Sequence, residues 1–378
     1  MKILITDIHH GNGGGHVTYI LSLLQGLRHH CDLTLAAPRT GRLFTRASQL
    51  DAVRVLPGAY TSRPAALVPE VAQLRGFLQR ERFDVVHVNG SADHRHTMLA
   101  CLGLSPRPAI VWTKHNTNPV SSVGHWLRAR FGTDATIAVC DYVANMLHRS
   151  EYAKRPVRVV RNGIDIDVLQ PATPQERADF RQRLFGTLGP DVLVLGSIGG
   201  TDYNKGWLVL MEAIARLPPA LQQRLRVVVA GDPPQASMTE RVRALGVGHL
   251  VAFPGLVSDI RPVLGACDAG FVLSYREAAS YASCETMAMA LPALVSDAGG
   301  LPENVRDGRD GWVVKAGDAR ALAERLVHML SQPGMLPVMG RSARVRVEQM
   351  FRPDRFLEST HGVYAEARRQ ARDAVRPL

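Results

Sequence analysis

Two stretches of this sequence carry residue types able to act on a phosphorylated ligand. Gly11-Asn12-Gly13-Gly14-Gly15-His16 follows the apolar run Ile3-Leu4-Ile5 and leads into a helical pattern. Glycines at such a place let backbone N–H groups and a helix N-terminus come close to a phosphate. As a dinucleotide fingerprint the loop fails. His16 stands where GxGxxG needs its last glycine, and the second strand runs Ala36-Ala37-Pro38-Arg39 with no ribose-binding acid. NAD is disfavoured, whereas an anion is not. The second stretch is Tyr275-Arg276-Glu277, with Glu285 eight residues on. Two glutamates so spaced mean nothing alone. If one ends a strand and the other lies in the first turn of the next helix, they bracket one pocket, where helix N–H groups meet a diphosphate and the acids accept sugar hydroxyls. Glu285 could equally do no more than complement the helix dipole.

Metal-like strings are also present. His9-His10, His29-His30 and His94-Arg95-His96 lack a ligand spacing and read as surface or packing histidines, while Asp165-Ile166-Asp167 imitates a DxD string but belongs to the turn after Asn162-Gly163-Ile164. The sequence therefore leads us to expect no metal and no resident cofactor.

Short apolar runs alternate with helical stretches and would position these residues. Ile3-Leu4-Ile5, Leu33 to Ala37, Asp84 to Val88, Ala109 to Trp112, Thr136 to Val139 and Val157 to Val160 read as strands, with helices over Val17 to Leu27 and Val68 to Leu78. A second series follows the polar linker near Pro171-Ala172-Thr173-Pro174: Val192 to Gly196, Arg226 to Gly231, Leu250 to Phe253, Gly270 to Leu273 and Pro292 to Ser296. Runs apolar on both faces and separated by helices imply parallel sheets covered on both sides. The expected fold class is α/β, with two Rossmann-like doubly wound parallel-sheet domains facing across a cleft. Residues 1–170, joined by a C-terminal helix at 353–378, would form one domain and residues 171–352 the other. Ligands of such sheets sit at the carboxyl ends of the strands.

The chain has 378 residues, which suits two domains, and its 46% hydrophobic and 21% charged content excludes wholesale disorder. Five scattered cysteines with no CxxC pair argue against a disulfide scaffold or zinc knuckle. The first residues form no signal-peptide core and no segment has the length of a membrane span, so a cytoplasmic protein is expected. The net charge of +11 is unevenly spread: 23 Lys and Arg face 14 Asp and Glu over residues 1–186, against 16 and 16 over 187–350. Arg39, Arg42, Arg46, Arg54 and Arg63, interleaved with Leu43, Phe44 and Tyr60, suit an anionic surface. No RNP, zinc-finger or helix-turn-helix pattern accompanies the basic segments, so nucleic acid is not an expected partner.

Glu277 with Glu285, followed by Ser296-Asp297-Ala298-Gly299-Gly300-Leu301-Pro302-Glu303-Asn304-Val305 and Asp307-Gly308-Arg309-Asp310-Gly311, resembles the donor-site signature of retaining GT-B enzymes in glycosyltransferase family 4. The glycine loop, Asp84-Val85-Val86-His87, His115, Arg161-Asn162-Gly163-Ile164-Asp165, Lys205-Gly206, Gly231-Asp232 and Phe253-Pro254-Gly255 follow in the family's order. This resemblance implies a metal-independent, retaining transfer of sugar from a nucleotide-diphospho-sugar to a glycan or lipid-linked acceptor, in lipopolysaccharide or another cell-surface polysaccharide. Glu285 would hold the ribose, Glu277 would meet donor sugar hydroxyls, and Lys205 would neutralise the diphosphate. His115 would contact the donor sugar, Gly13, Gly14 and Gly15 would close over the phosphates, and the Leu256 backbone would meet the base.

The sequence departs from the family at two places. Gly200 stands where a second phosphate-binding arginine is common, and Ala278, Ala279 and Ser280 replace the usual Pro/Gly-aromatic-Gly run. A non-catalytic nucleotide-sugar binder, and a GT-B sugar epimerase or phosphorylase, thus stay open as alternatives. Ser122 to Phe131, with Trp126, Leu127 and Phe131 beside Arg128 and Arg130, suits either an interfacial element at an anionic membrane surface or an ordinary half-buried helix.

Overall fold

The computed structural model describes every residue except Gly13, Ser62 and residues 374–378. The chain divides into two compact units, Met1–Gly163 with Pro353–Leu378, and Ile164–Arg352. The break falls a few residues before the polar linker at 171–174. Gly163 lies against Pro353 and Phe356, where a Cβ would come within 3.0 Å of the Pro353 backbone. Ile164 and Leu169 are instead buried in the core of the second unit.

The first unit is built on strands β1 (Lys2–Thr6), β2 (Asp32–Ala37), β3 (Val53–Pro57), β4 (Val85–Val88), β5 (Ala109–Lys114), β6 (Ala135–Ala138) and β7 (Val157–Val159). They form one sheet in the order β3-β2-β1-β4-β5-β6-β7, every pairing parallel. Apart from the ends of β1 and β2, the four strands β1, β2, β4 and β5 are buried along their length, as expected of a sheet covered on both faces. The helix Pro353–Asp373 belongs to this unit: Tyr364 donates or accepts at His87 Nδ1 (2.7 Å), and Arg368 pairs with Asp84 at 2.6 Å.

The second unit carries β8 (Leu193–Ser197), β9 (Leu225–Val229), β10 (Val251–Ala252), β11 (Ala269–Val272), β12 (Ala293–Ser296) and β13 (Gly311–Val314). Their order is β10-β9-β8-β11-β12-β13, again all parallel. Two clusters cover its faces, one around Trp207, Leu210, Phe271 and Trp312, the other around Val194, Met287, Leu291 and Val347. Each unit is thus a doubly wound, Rossmann-like α/β domain, in which loops at the carboxyl ends of the central strands form the ligand-binding edge. No helix among the described residues is long and apolar enough to cross a membrane.

Candidate functional site

In the second unit the loops after β8 and β11 are stitched together. Past β8 the chain makes a short turn at Tyr203–Lys205, then Gly206 opens the helix Trp207–Ala215. Tyr275 N–H donates to Asn204 O at 2.9 Å, and Asn204 Nδ2 donates to Arg276 O at 2.9 Å. Gly206 sits at φ +69°, and a Cβ there would lie 1.9 Å from Leu273 O, so only glycine permits this approach. The stitching brings Lys205 Nζ to 3.0 Å from Glu277 Oε2, with both side chains still partly accessible. Ser274 Oγ also donates to Glu277 at 3.4 Å.

Glu285 lies in the helix Tyr281–Ala288, whose N-cap is Ser280, accepting from Ser283 N–H. Glu285, the fifth residue of this helix, therefore stands in its second turn rather than in the first turn considered from the sequence. Asn304 Nδ2 donates to Ser283 Oγ at 2.9 Å and holds the helix against the Leu301–Asn304 turn. Glu285 is half-buried and has no hydrogen-bond or ion-pair partner among the described residues, and burial pushes its carboxyl up to about 7. Leu256 follows Gly255, whose carbonyl accepts from Gly231 N–H at 3.0 Å; the Leu256 side chain is 52% exposed. Gly200 adopts φ +98°, and a Cβ on Gly231 would come within 2.7 Å of its Cα. Nothing lies within 4 Å of a Cβ built on Gly200, so it is the backbone conformation and not crowding that would strain an arginine here.

In the first unit, His115 follows β5. Its Nε2 lies 2.9 Å from Asn89 Oδ1, and Asn89 Nδ2 donates to Thr6 O at 3.0 Å. Asn89 is thereby oriented with its oxygen toward the ring, so His115 donates from Nε2. Burial, followed by the neighbouring imidazoles, holds this histidine well below its usual range, so it is neutral and Nδ1 is a bare acceptor. Its ring packs at 4.4 Å on His16 and at 4.6 Å on Tyr19. Gly14 and Gly15 open the helix Gly14–Leu27 and are exposed; Gly13 lies outside the described residues.

The remaining sequence candidates have structural duties. His87 bonds Tyr364 and Thr113, His94 Nε2 lies 2.9 Å from Gly132 O, and His96 Nε2 lies 2.9 Å from Glu70. Asp165 Oδ1 accepts from Asp167 and Val168 N–H at 3.1 Å each, a turn cap. Among the basic stretch, Arg54 is paired with Glu81, while Arg39 lies over the Phe44 ring at 5.8 Å. Asn89, Asn204 and Ser274, none of which stands out in the sequence, set the geometry of His115, Lys205 and Glu277. Their only signal is a polar residue directly after a buried strand, or in the loop facing one.

A family model described as Glycosyltransferase Family 4 matches residues 13–168, and one described as Glycosyl transferases group 1 matches residues 189–332. The chain belongs to the family 4, group 1 glycosyltransferases. A D-inositol 3-phosphate glycosyltransferase of Actinosynnema mirum is 32% identical over 64% of this chain and 60% of its own length. The chain thus spans less than two thirds of that relative. An alpha-maltose-1-phosphate synthase of Mycolicibacterium smegmatis is 28% identical over 94% of this glycosyltransferase and 95% of its own length. The crystal structure of Anabaena HepE in complex with UDP-glucose shares the fold, with a TM-score of 0.81, 21% identity and coverage of 97% and 99% of the two chains.

Proposed function

We propose that this glycosyltransferase is a retaining, metal-independent hexosyltransferase that uses a nucleotide-diphospho-sugar and a glycan or lipid-linked acceptor of a cell-surface polysaccharide such as lipopolysaccharide. The observation that carries the donor assignment is the pairing of Lys205 with Glu277 in the unit that also holds a partnerless Glu285. A half-buried carboxylate without a partner is costly. Two ribose hydroxyls donating to Glu285 offset that cost. Lys205, already beside Glu277, supplies the cation that a departing diphosphate needs, and the first N–H groups of the Tyr281–Ala288 helix add dipole. Glu277 then accepts hydroxyls of the donor sugar while holding the ammonium in place. In the first unit, His115, neutral and fixed by Asn89, keeps a bare Nδ1 able to accept a sugar hydroxyl.

The donor reading is tested by nucleoside diphosphate release from UDP-, GDP- and ADP-sugars, with Lys205→Ala and chelator-treated enzyme alongside. Turnover with one donor, its loss in the variant and its persistence under chelation are expected. Release from no donor would favour the non-catalytic binder.

The acceptor reading rests on the first unit. Helix Val123–Phe131 leaves Val123 75%, Trp126 47% and Phe131 51% exposed, next to Arg130. Such an apolar and basic face suits the boundary of an anionic bilayer, so we infer peripheral attachment at the cytoplasmic face of the membrane. Liposome flotation tests it: recovery on anionic but not neutral vesicles, lost in Trp126→Ala/Phe131→Ala, is expected, and equal recovery on both would end the idea.

A further inference from the structure

The end of β1 and the start of the helix Gly14–Leu27 bring together three side chains of types that bind metals, none of which the transfer reading above uses as a reacting group. Asp7, the first residue past β1, is fully buried; His9 is two residues on, and His16 is the third residue of the helix. One ligand atom from each lies within 4.8 Å of the other two. The tightest pair, Asp7 Oδ1 and His9 Nδ1, is 2.7 Å apart. Ligand atoms around a tetrahedral zinc sit roughly 3.3 Å from one another, given bonds of about 2.0–2.1 Å. All three ligand atoms thus lie within reach of a single ion.

A second observation points the same way. His16 Nδ1 is buried and has no hydrogen-bond partner among the described residues. An imidazole nitrogen left so is costly, and a cation beside Asp7 and His9 relieves it. Asp7 is already held: its backbone N–H donates to Ala36 O at 3.1 Å, and its Oδ2 accepts from His9 N–H at 3.3 Å. The His9 and His16 rings meet edge to face at 4.1 Å. One carboxylate with two imidazoles suits late first-row divalent ions, among them zinc, which tolerates varied geometry and keeps a further position for water.

We propose that Asp7, His9 and His16 bind one zinc ion, which ties the end of β1 to the first helical turn and braces the glycine-bearing loop between them. The ion is structural. It takes no part in neutralising the leaving group, and its binding is read in the absence of any donor, so failure of this proposal is distinguishable from failure of the transfer reading.

The test is calorimetric titration of chelator-stripped, full-length protein with zinc chloride, with cobalt(II) absorption as a second probe of the ligand set. His9→Ala and His16→Ala are compared with His10→Ala, whose ring bonds Thr40 outside the cluster. One ion per chain is expected, with affinity at least about tenfold lower in His9→Ala and His16→Ala and unchanged in His10→Ala. Zinc should raise the unfolding midpoint of the wild type and of His10→Ala alone. Midpoints without zinc separate ligand loss from misfolding: His9→Ala removes the 2.7 Å partner of buried Asp7, so its zinc response is read against its own lowered zinc-free midpoint. Absence of zinc binding, or zinc binding that survives the His9→Ala/His16→Ala double variant, would overturn the proposal.

Discussion

The candidate residues of the two units differ in how their polar groups are satisfied. In the first, His115 is neutral and already bonded to Asn89, and His87 has both ring nitrogens occupied. In the second, Lys205 and Glu277 hold each other at a partly accessible spot and Glu285 has nothing. The first unit is pre-organised by internal hydrogen bonds, whereas the second keeps an unmet carboxylate. Binding energy for a nucleotide is therefore expected chiefly from the second unit, and shape and positioning from the first.

Lys205→Ala should break that contrast most severely. Removing the cation leaves the leaving group to backbone dipoles, and turnover should fall by about 10²–10³-fold, the range seen when one preorganised charge-stabilising group is lost. Steady-state kinetics checks this, and circular dichroism should show the fold intact. Gly206→Ala comes next and acts on stability: the 1.9 Å approach to Leu273 O and φ of +69° leave a Cβ no place. A loss of about 1–3 kcal/mol or more in chemical unfolding is expected from the strained backbone alone.

Glu285→Gln sharpens the comparison because it should act in opposite directions on binding and stability. Loss of a charged acceptor should weaken nucleotide binding by about 10- to 100-fold. The carboxyl titrates near 7 in the fold and lower when unfolded. The folded state thus holds its proton more tightly, so this group lowers stability progressively as pH rises from the unfolded value toward 7, and fully above it. Glu285→Gln should therefore raise the unfolding midpoint at about pH 8 and leave it unchanged at about pH 4, below both values. Equal effects at both pH values would mean the group is not buried as described. The smallest effect is expected from Gly200→Ala, about 1 kcal/mol of destabilisation from its φ of +98°, with turnover little changed.

Much of the fold is legible in the sequence because buried parallel strands are continuous apolar runs. The strands that escape are β3 and β13. Val53-Arg54-Val55-Leu56-Pro57 is a half-exposed edge interrupted by an arginine and ended by a proline, and Gly311-Trp312-Val313-Val314 follows directly on the glycine-bearing Asp307–Gly311 turn. The candidates of the second unit, Lys205, Glu277 and Glu285, come from the family resemblance, since two glutamates at this spacing mean nothing alone; the structure adds that Lys205 and Glu277 pair. The histidine cluster is not legible in the sequence. His9 and His16 flank one connection and meet only where it folds back, and His115 joins them through the parallel pairing of β1, β4 and β5.

The most direct measurement is calorimetric titration of the wild type, Lys205→Ala and Glu285→Gln with UDP, GDP and ADP. Tight binding of one of the three to the wild type, weakened at least about tenfold in each variant, is the expected result. Binding that neither substitution alters, or no binding of any nucleoside diphosphate, would contradict the assignment of the second unit as the donor-binding half.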